Sequence, residues 1–199
     1  MRPLWLTLAI LVIDQVSKAI VRSRMRLGES IHILGDWFKL TFTENPGMAF
    51  GIEFGSPLVV TALAIVATIL IVLYLRVVHT NSAGYTFSLA LILGGAIGNI
   101  IDRVFYGLVY GYGSLFHGKV VDFIHFDLWN GRISDSIPLI GGKFVAIFPI
   151  WNVADMSIVI GVVLVILFQQ LAQSRPKLAD EGSETVAVTE APATETAHS

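Results

Sequence analysis

The run VVTALAIVATILIVLYL, from Val59 to Leu75, decides the fold class because it contains no charged side chain. A membrane-spanning helix needs about 20 mostly apolar residues, and the apolar stretch around this run extends from Pro57 to Val78. Three further stretches meet the same requirement: Leu4 to Val21, Thr86 to Phe105 and Phe148 to Leu171. The sequence therefore predicts an all-α membrane protein, a bundle of four transmembrane helices with both termini on the same side.

The composition agrees with this fold class. The chain has 199 residues, of which 54% are hydrophobic and 14% are charged, whereas soluble domains usually contain about 25% charged residues. The net charge of -2 gives no indication of a nucleic-acid partner. The chain contains no cysteine, which excludes disulfides, thiol nucleophiles and thiolate metal sites.

The first span has one property of a secretory signal, because Arg2 precedes a short apolar run. Asp14, Gln15, Ser17 and Lys18 follow where a small-residue cleavage site should stand. We therefore interpret this stretch as a retained span.

The two long links and the tail differ in character. Phe38, Leu40 and Phe42 alternate with polar residues, which predicts a half-buried strand and a small sheet resting on the membrane. The link from Val104 to Ile147 is rich in glycine and aromatics, and long loops of this kind usually carry function, so we expect a lid over the site. We expect one folded unit over residues 1–173 and a disordered acidic tail over residues 174–199.

Ionisable residues inside a span are costly and are functional candidates by default. Asp14 and Lys18 lie four residues apart and share a helix face, with the acid first, which favours an ion pair. The spacing leaves two roles open, mutual neutralisation and support of a nearby site.

The third span carries a polar face beside a pair of small residues. Gly94 and Gly98 are spaced for close helix packing. Asn99 and Asp102 share a face, and Arg103 joins its edge, beside Asp102 as a local counter-charge. Because packing requires neither Asn99 nor Arg103, we assign both to function.

The acids without a local cation are Asp122 and Asp155. Asp155 lies in the first turn of the fourth span, on the same face as Asn152, and Asp122 lies in the apolar segment KVVDFIHF. Two carboxyls brought close together cannot both stay ionised, so one serves as acid and the other as base, as in aspartic proteases. Such chemistry needs no metal or other cofactor. Spacing alone equally allows an ion site or two separate capping residues.

Asn45 and the histidines carry weaker signals. Asn45 opens an Asn-Pro-Gly sequence, which predicts a turn that this side chain caps, although substrate contact is also open. The five histidines are scattered, without the spacing of a metal site.

The distribution of positive charge predicts one orientation of the chain in the membrane. Four Lys and Arg residues flank the termini and the second link, and eight lie in the first and third links. Counted in this way, the positive-inside rule places the first and third links in the cytoplasm.

Five ordered motifs resemble those of the lipoprotein signal peptidases, the type II signal peptidases of bacteria. They are DQVSK (Asp14 to Lys18), NPGMAFG (Asn45 to Gly51), GNIIDR (Gly98 to Arg103), VVDF (Val120 to Phe123) and WNVAD (Trp151 to Asp155). The resemblance covers roughly residues 4 to 172.

The resemblance implies an aspartyl endopeptidase of the bacterial inner membrane, with cytoplasmic termini, an extracytoplasmic sheet and an active site near the outer face. It implies that the enzyme, which we expect to act as a monomer among membrane lipids, cuts prolipoproteins just before a diacylglyceryl-modified cysteine and is inhibited by globomycin. Asp122 and Asp155 match the catalytic pair. The supporting positions match Asn45, Asn99, Arg103, Asn152, Asp14 and Lys18.

The chain departs from the family pattern mainly between Phe105 and Ile150, where the link is longer on both sides of Asp122. Trp151 stands where phenylalanine is common, and Met156 stands where a small or hydroxyl residue is common. None of these departures removes a catalytic position. The count of positive residues conflicts with the orientation that the resemblance implies.

Two functions from other classes remain open on the residues alone. An ion-coupled or proton-coupled transporter would use Asp14, Lys18, Asp102 and Asp155 as a polar path. An assembly protein would use only the glycine-rich third span for packing.

Overall fold

The computed structural model describes residues 2–49, 52–53, 57–77, 83–128, 130–132, 134, 142, 144–146 and 148–173. These residues form helices joined by short strands. In chain order the elements are α1 (Arg2–Arg24), β1 (Ser30–Leu34), β2 (Phe38–Asn45), β3 (Met48–Ala49), β4 (Ile52–Glu53), α2 (Pro57–Val77), α3 (Ala83–Val109), β5 (Val120–Phe126), β6 (Asn130–Arg132), β7 (Phe144–Ala146), β8 (Ile150–Trp151) and α4 (Val153–Gln173).

A helix lies at each of the four predicted spans. Three are long and apolar enough to cross a membrane, over Leu4–Arg24, Ala83–Val109 and Val153–Gln170. In α2 the apolar part is shorter, over Leu58–Tyr74. The membrane-protein prediction is thus supported by three helices, and the fourth crossing stays a prediction.

The fourth helix begins later than predicted. Residues from Phe148 were assigned to this span, but Ile150 and Trp151 form β8 and the helix begins at Val153. The reason is a reciprocal cap, since the Asp155 amide donates to Asn152 Oδ1 at 2.8 Å and the Asn152 amide donates to Asp155 Oδ2 at 3.3 Å. Such a cap fixes the start of a helix.

Helix α3 packs between α1 and α4, and its glycines permit the close approach. A β-carbon on Gly94 would lie 3.0 Å from Ile10 Cβ, and one on Gly98 would lie 2.6 Å from Asp14 Oδ2. The predicted packing role of these two glycines is therefore confirmed, with α1 as the partner.

The predicted strand is β2, the second strand of a four-stranded antiparallel sheet in the order β1-β2-β5-β8. In this sheet Thr43 pairs with Asp122, and Ile124 pairs with Trp151. An apolar cluster packs the sheet against the ends of α1 and α3; its buried members are Val21, Met25, Phe42, Tyr106, Val121 and Phe123. The sheet is thereby fixed to one end of the helices.

The long link is only partly a loop. Helix α3 continues through Val109, and β6 pairs with β7 in a separate two-stranded sheet. Most of residues 133–147 and the predicted tail over residues 174–199 lie outside the described residues. The lid and the disordered tail stay predictions.

Candidate active site

Asp122 is held in a buried position by β5. Its neighbours Val121 and Phe123 belong to the apolar cluster, and alternate residues of a strand point to opposite faces. Asp122 is only 2% exposed. Its Oδ1 accepts a 2.6 Å hydrogen bond from Asn152 Nδ2, and the Asn45 side chain also bonds to it. Burial raises the pKa of Asp122 to about 7, and the negative charge of Asp155 adds to this effect.

Asp155 is joined to Asp122 through two asparagine side chains. Asn99 Nδ2 donates to Asp155 Oδ1 at 2.7 Å, and Asn152 Nδ2 donates to Asn99 Oδ1 at 3.2 Å. Since Asn152 also donates to Asp122, a continuous network links the two carboxyls. The structure therefore brings together the predicted pair and both predicted asparagines.

Asn45 makes the turn contact predicted from its sequence and also reaches a candidate catalytic acid. Its Oδ1 accepts from the Gly47 amide at 2.9 Å, which confirms the turn. The same side chain reaches Asp122. It can thus cap the turn and border the site at once.

Lys18 lies at the centre of a buried ionic cluster. Its Nζ lies 2.8 Å from Asp14 Oδ2 and 2.8 Å from Asp102 Oδ2, and all three side chains are fully buried. The ion pair predicted between Asp14 and Lys18 is confirmed. Asp102 forms its ion pair with Lys18 across the helix interface, which the sequence did not predict, while the charge of Arg103, its expected counter-charge, also interacts with it.

The ionic cluster holds the elements that carry the carboxyl pair. Asp14 Oδ1 accepts from the Ala154 amide at 2.9 Å, so an acid of α1 caps the positive end of α4. Asp102 Oδ2 accepts from the Val121 amide at 3.3 Å, beside Asp122. Lys18 Nζ donates to Asn99 Oδ1 at 3.0 Å. These contacts favour the supporting role for the cluster over simple neutralisation.

The comparison with known sequences identifies the family. A family model described as Signal peptidase (SPase) II matches residues 6–171. The chain belongs to the signal peptidase II family. It is 40% identical to the lipoprotein signal peptidase of Amoebophilus asiaticus over 207 aligned residues, which cover 97% of this chain and 86% of the relative. It is also 40% identical to that of Porphyromonas gingivalis strain ATCC 33277, with 81% and 80% covered.

The fold of this signal peptidase II family member also matches solved structures. One, described as a bacterial membrane enzyme, has a TM-score of 0.69 and 27% sequence identity, and the match covers 89% of this chain and 92% of the other. A second of the same description has a TM-score of 0.63 with 27% identity, covering 84% and 92%. The membrane fold is therefore shared with known enzymes.

Arg103 lies near the two carboxyls. Its charge interacts with those of Asp155, Asp122 and Asp102, and its Nη1 donates to the Asn99 carbonyl at 3.4 Å. Arg103 Nε is buried without a hydrogen-bond partner. A buried unsatisfied donor costs about 1–3 kcal/mol, so this atom is a candidate to bond a substrate.

Trp151 lies close in the sheet to Asp122, whereas the sequence marked it only as a departure from the family pattern. Within the part of the chain that the structure describes, its Nε1 is the one other buried side-chain nitrogen or oxygen without a partner. Trp151 directly precedes Asn152 and pairs with Ile124, two residues along β5 from Asp122. The signal in the sequence was the indole N–H, a donor that the phenylalanine common at this position of the family does not have.

Gln15, to which the sequence assigned no role, contacts the ionic cluster. Its Nε2 lies 2.9 Å from Asp102 Oδ1 and 3.1 Å from Asp14 Oδ2, and its Oε1 accepts from Tyr106 Oη at 3.2 Å. Gln15 thus joins both acids of the ionic cluster. A polar amide inside an apolar span was the available signal.

Proposed function

We propose that Asp122 and Asp155 are the catalytic pair of an aspartyl endopeptidase that removes signal peptides from prolipoproteins, the activity of the signal peptidase II family. The observation that carries the proposal is the network joining the two carboxyls through Asn152 and Asn99. Two linked acids with different surroundings are what acid–base hydrolysis of a peptide requires.

The surroundings assign different roles to the two acids. Asp155 accepts hydrogen bonds from Asn99 Nδ2 and from the Asn152 amide, and it lies near Arg103. These contacts favour its charged form. Asp122 is buried, and its pKa of about 7 favours the protonated form below that pH.

The reaction follows from these roles. Asp155 takes a proton from water as the water oxygen attacks the peptide carbonyl carbon, while Asp122 gives its proton to the carbonyl oxygen. In the second step the C–N bond breaks, Asp155 returns the proton to the leaving nitrogen, and Asp122 recovers a proton from the former carbonyl oxygen. Both carboxyls end as they began.

The remaining polar groups position the pair and the substrate. Asn99 and Asn152 fix the carboxyl orientations, while Asp14 and Lys18 hold Asn99 and the start of α4. Arg103 Nε and Trp151 Nε1 supply free donors for substrate carbonyls. Asn45 borders Asp122 from the β2 side.

The position of the site in the bundle fits a lipid-anchored substrate. Asp155 lies in the first turn of α4, and Asp122 lies in the sheet at the same end of the helices. Such a site stands near the bilayer surface, where the scissile bond of a prolipoprotein carrying a diacylglyceryl cysteine would lie. Cleavage just before that cysteine is therefore part of the proposal, as is blockage by globomycin.

The inner membrane, an outward-facing site and cytoplasmic termini complete the proposal. The count of positive residues predicted the opposite orientation, but several of these residues form ion pairs within the fold. Arg22 pairs with Glu44 and Lys39 with Asp127, each at 2.5 Å, and Arg103 belongs to the site. These cations are structural parts of the sheet and the site, whereas the positive-inside rule concerns flanking loop charges.

Product analysis tests the substrate assignment. Purified enzyme in liposomes would be given a precursor with a diacylglyceryl cysteine and, as matched control, the same precursor with serine at that position. We expect mass spectrometry to show cleavage directly before the lipidated cysteine, inhibition by globomycin, and no cleavage of the serine precursor. Equal cleavage of both precursors would contradict the lipid requirement.

A further inference from the structure

The segment that joins α3 to β5 is folded back onto the end of α3. The Phe116 amide donates to the Val104 carbonyl at 3.0 Å, and the Gly118 amide donates to the Arg103 carbonyl at 2.9 Å. A β-carbon on Gly118 would collide with the Asp102 carbonyl oxygen, so this close approach requires glycine. The segment therefore has a defined conformation.

The apolar side chains at the end of α3 and in this segment nevertheless point outward. Six of them are between 37% and 66% exposed: Leu108, Val109, Tyr110, Tyr112, Leu115 and Phe116. The sequence from Val104 to Phe116 carries no charged residue. A contiguous exposed apolar patch of this kind marks an interaction surface.

Phe116 adopts a backbone conformation that its side chain makes costly. Its φ of 66° lies in the left-handed region that a non-glycine residue rarely adopts. Glycine would adopt this conformation without strain. A phenylalanine at such a position indicates that its exposed ring has a role.

The length of α3 places this patch at the membrane surface. Helix α3 has 27 residues and at 1.5 Å per residue extends about 40 Å, which exceeds a hydrocarbon core of about 30 Å. Its last turns lie at the sheet end of the bundle, where Tyr106 packs with the sheet and Phe105 is 48% exposed, and would thus stand at headgroup level as they continue into the segment. Aromatic side chains are enriched at that level because one end is apolar and the other polar.

One contact and the chain connection join the patch to the active site. The Arg22 guanidinium lies 3.7 Å from the centroid of the Tyr110 ring and pairs with Glu44, the neighbour of Asn45. Gly118 lies two residues before β5, which carries Asp122. A change in the depth of the patch in the membrane would therefore change the height of the carboxyls as well.

We propose that residues 108–116 form a membrane anchor that inserts into the lipid interface beside the active site and sets the height of Asp122 above the acyl chains. The occupant of the patch is the lipid surface, because the patch continues from the exposed Phe105 near the end of α3 and its own side chains are uncharged, with Arg22 and Lys119 only at its edge against the Tyr110 and Tyr112 rings. The proposal concerns depth and does not depend on the catalytic assignment.

Spin labelling tests the depth directly, because the chain has no cysteine and single-cysteine variants label at one place. Leu115→Cys would be compared in liposomes with Asp36→Cys, whose native side chain is fully exposed in the β1–β2 turn, and with Val163→Cys on the outer face of α4. We expect the ratio of oxygen to nickel-chelate accessibility at position 115 to exceed that at position 36 about tenfold and to lie below that at position 163. Nickel accessibility equal to that at position 36 would overturn the anchor, and so would low accessibility to both reagents, which indicates a protein contact.

A double variant tests the membrane anchor through enzyme activity. Leu115→Ser combined with Phe116→Gly removes two apolar side chains and relieves the left-handed strain, so folding should be retained. We expect cleavage of a lipidated precursor to slow about tenfold in liposomes and to change less than about twofold in detergent micelles, where depth is not fixed. Equal loss in both media would overturn the anchor, whereas inactivity of the unmodified protein would count against the proposed function and leave the depth measurement valid.

Discussion

Asn152 Nδ2 donates a hydrogen bond of 2.6 Å to Asp122 Oδ1, while the Oδ1 of the same amide caps α4 by accepting from the Asp155 amide at 2.8 Å. One side chain thus orients one carboxyl and fixes the helix turn that carries the other. The two functions use different atoms of Asn152, so substitutions can separate them.

Asn152→Ser keeps an oxygen that can cap the helix but removes the amide donor to Asp122. Because serine is a good capping residue, we expect the free energy of unfolding to change by less than about 1 kcal/mol, while kcat falls about 100-fold. Asn152→Ala loses both functions. In addition to the loss of activity, we expect its free energy of unfolding to fall by about 1 kcal/mol. Denaturation in detergent and turnover of the same samples measure the two effects. Full activity in Asn152→Ser would show that the donor to Asp122 is dispensable.

Lys18→Met leaves Asp14 and Asp102 buried together without their cation. Removing one partner from a buried ionic group costs about 3–5 kcal/mol, and we expect a loss of unfolding free energy in this range. The matched control is Lys39→Met, since Lys39 and Asp127 form a pair whose side chains are 15% and 17% exposed. We expect the control to lose about 1 kcal/mol or less. Similar losses in the two variants would contradict the structural role of the ionic cluster.

The raised pKa of Asp122 makes both activity and stability depend on pH. Since its folded pKa is about 7 and an unfolded aspartate titrates near about 3.9, the folded protein binds more protons here between these values. The contribution of this group to unfolding free energy therefore falls as pH rises from about 4 to about 7. Asp122→Asn should remove this part of the pH dependence of the unfolding free energy. Catalysis needs the protonated form, so kcat/KM should decline above pH about 7; a profile rising steadily through pH 8 would refute protonated Asp122 as the acid.

Trp151→Phe removes one buried unsatisfied donor and keeps the aromatic packing. Stability should be equal or slightly higher, because the unpaired N–H is gone. If the indole donates to substrate, KM should rise about fivefold with kcat little changed. Steady-state kinetics on a lipidated precursor measure KM and kcat separately. Unchanged KM would remove Trp151 from the substrate site.

The sequence predicted the helices well because long apolar runs are a local signal. It missed the start of α4 because the apolar run from Phe148 outweighed the local cap of Asn152 and Asp155, and because the pairing of β8 with β5 is a contact distant in sequence. It did not predict the ion pair of Asp102, because adjacency in sequence does not decide which side chains meet between two helices. The partner, Lys18, lies on another helix. Five ordered motifs pointed to Asp122 and Asp155 as the proposed catalytic pair, yet the contacts of Gln15 and the unpaired indole N–H of Trp151 became visible only in the structure.

The most direct test is cleavage of a diacylglyceryl-modified precursor by purified Asp122→Asn and Asp155→Asn variants, with Asp127→Asn as the matched control. Asp127 is an acid of the same sheet region that pairs with Lys39 outside the site. We expect each of the first two variants to lose at least about 1000-fold in rate while still inserting in the membrane, and the control to stay within about twofold of the unmodified protein. Undiminished cleavage by either Asp122→Asn or Asp155→Asn would contradict the catalytic pair.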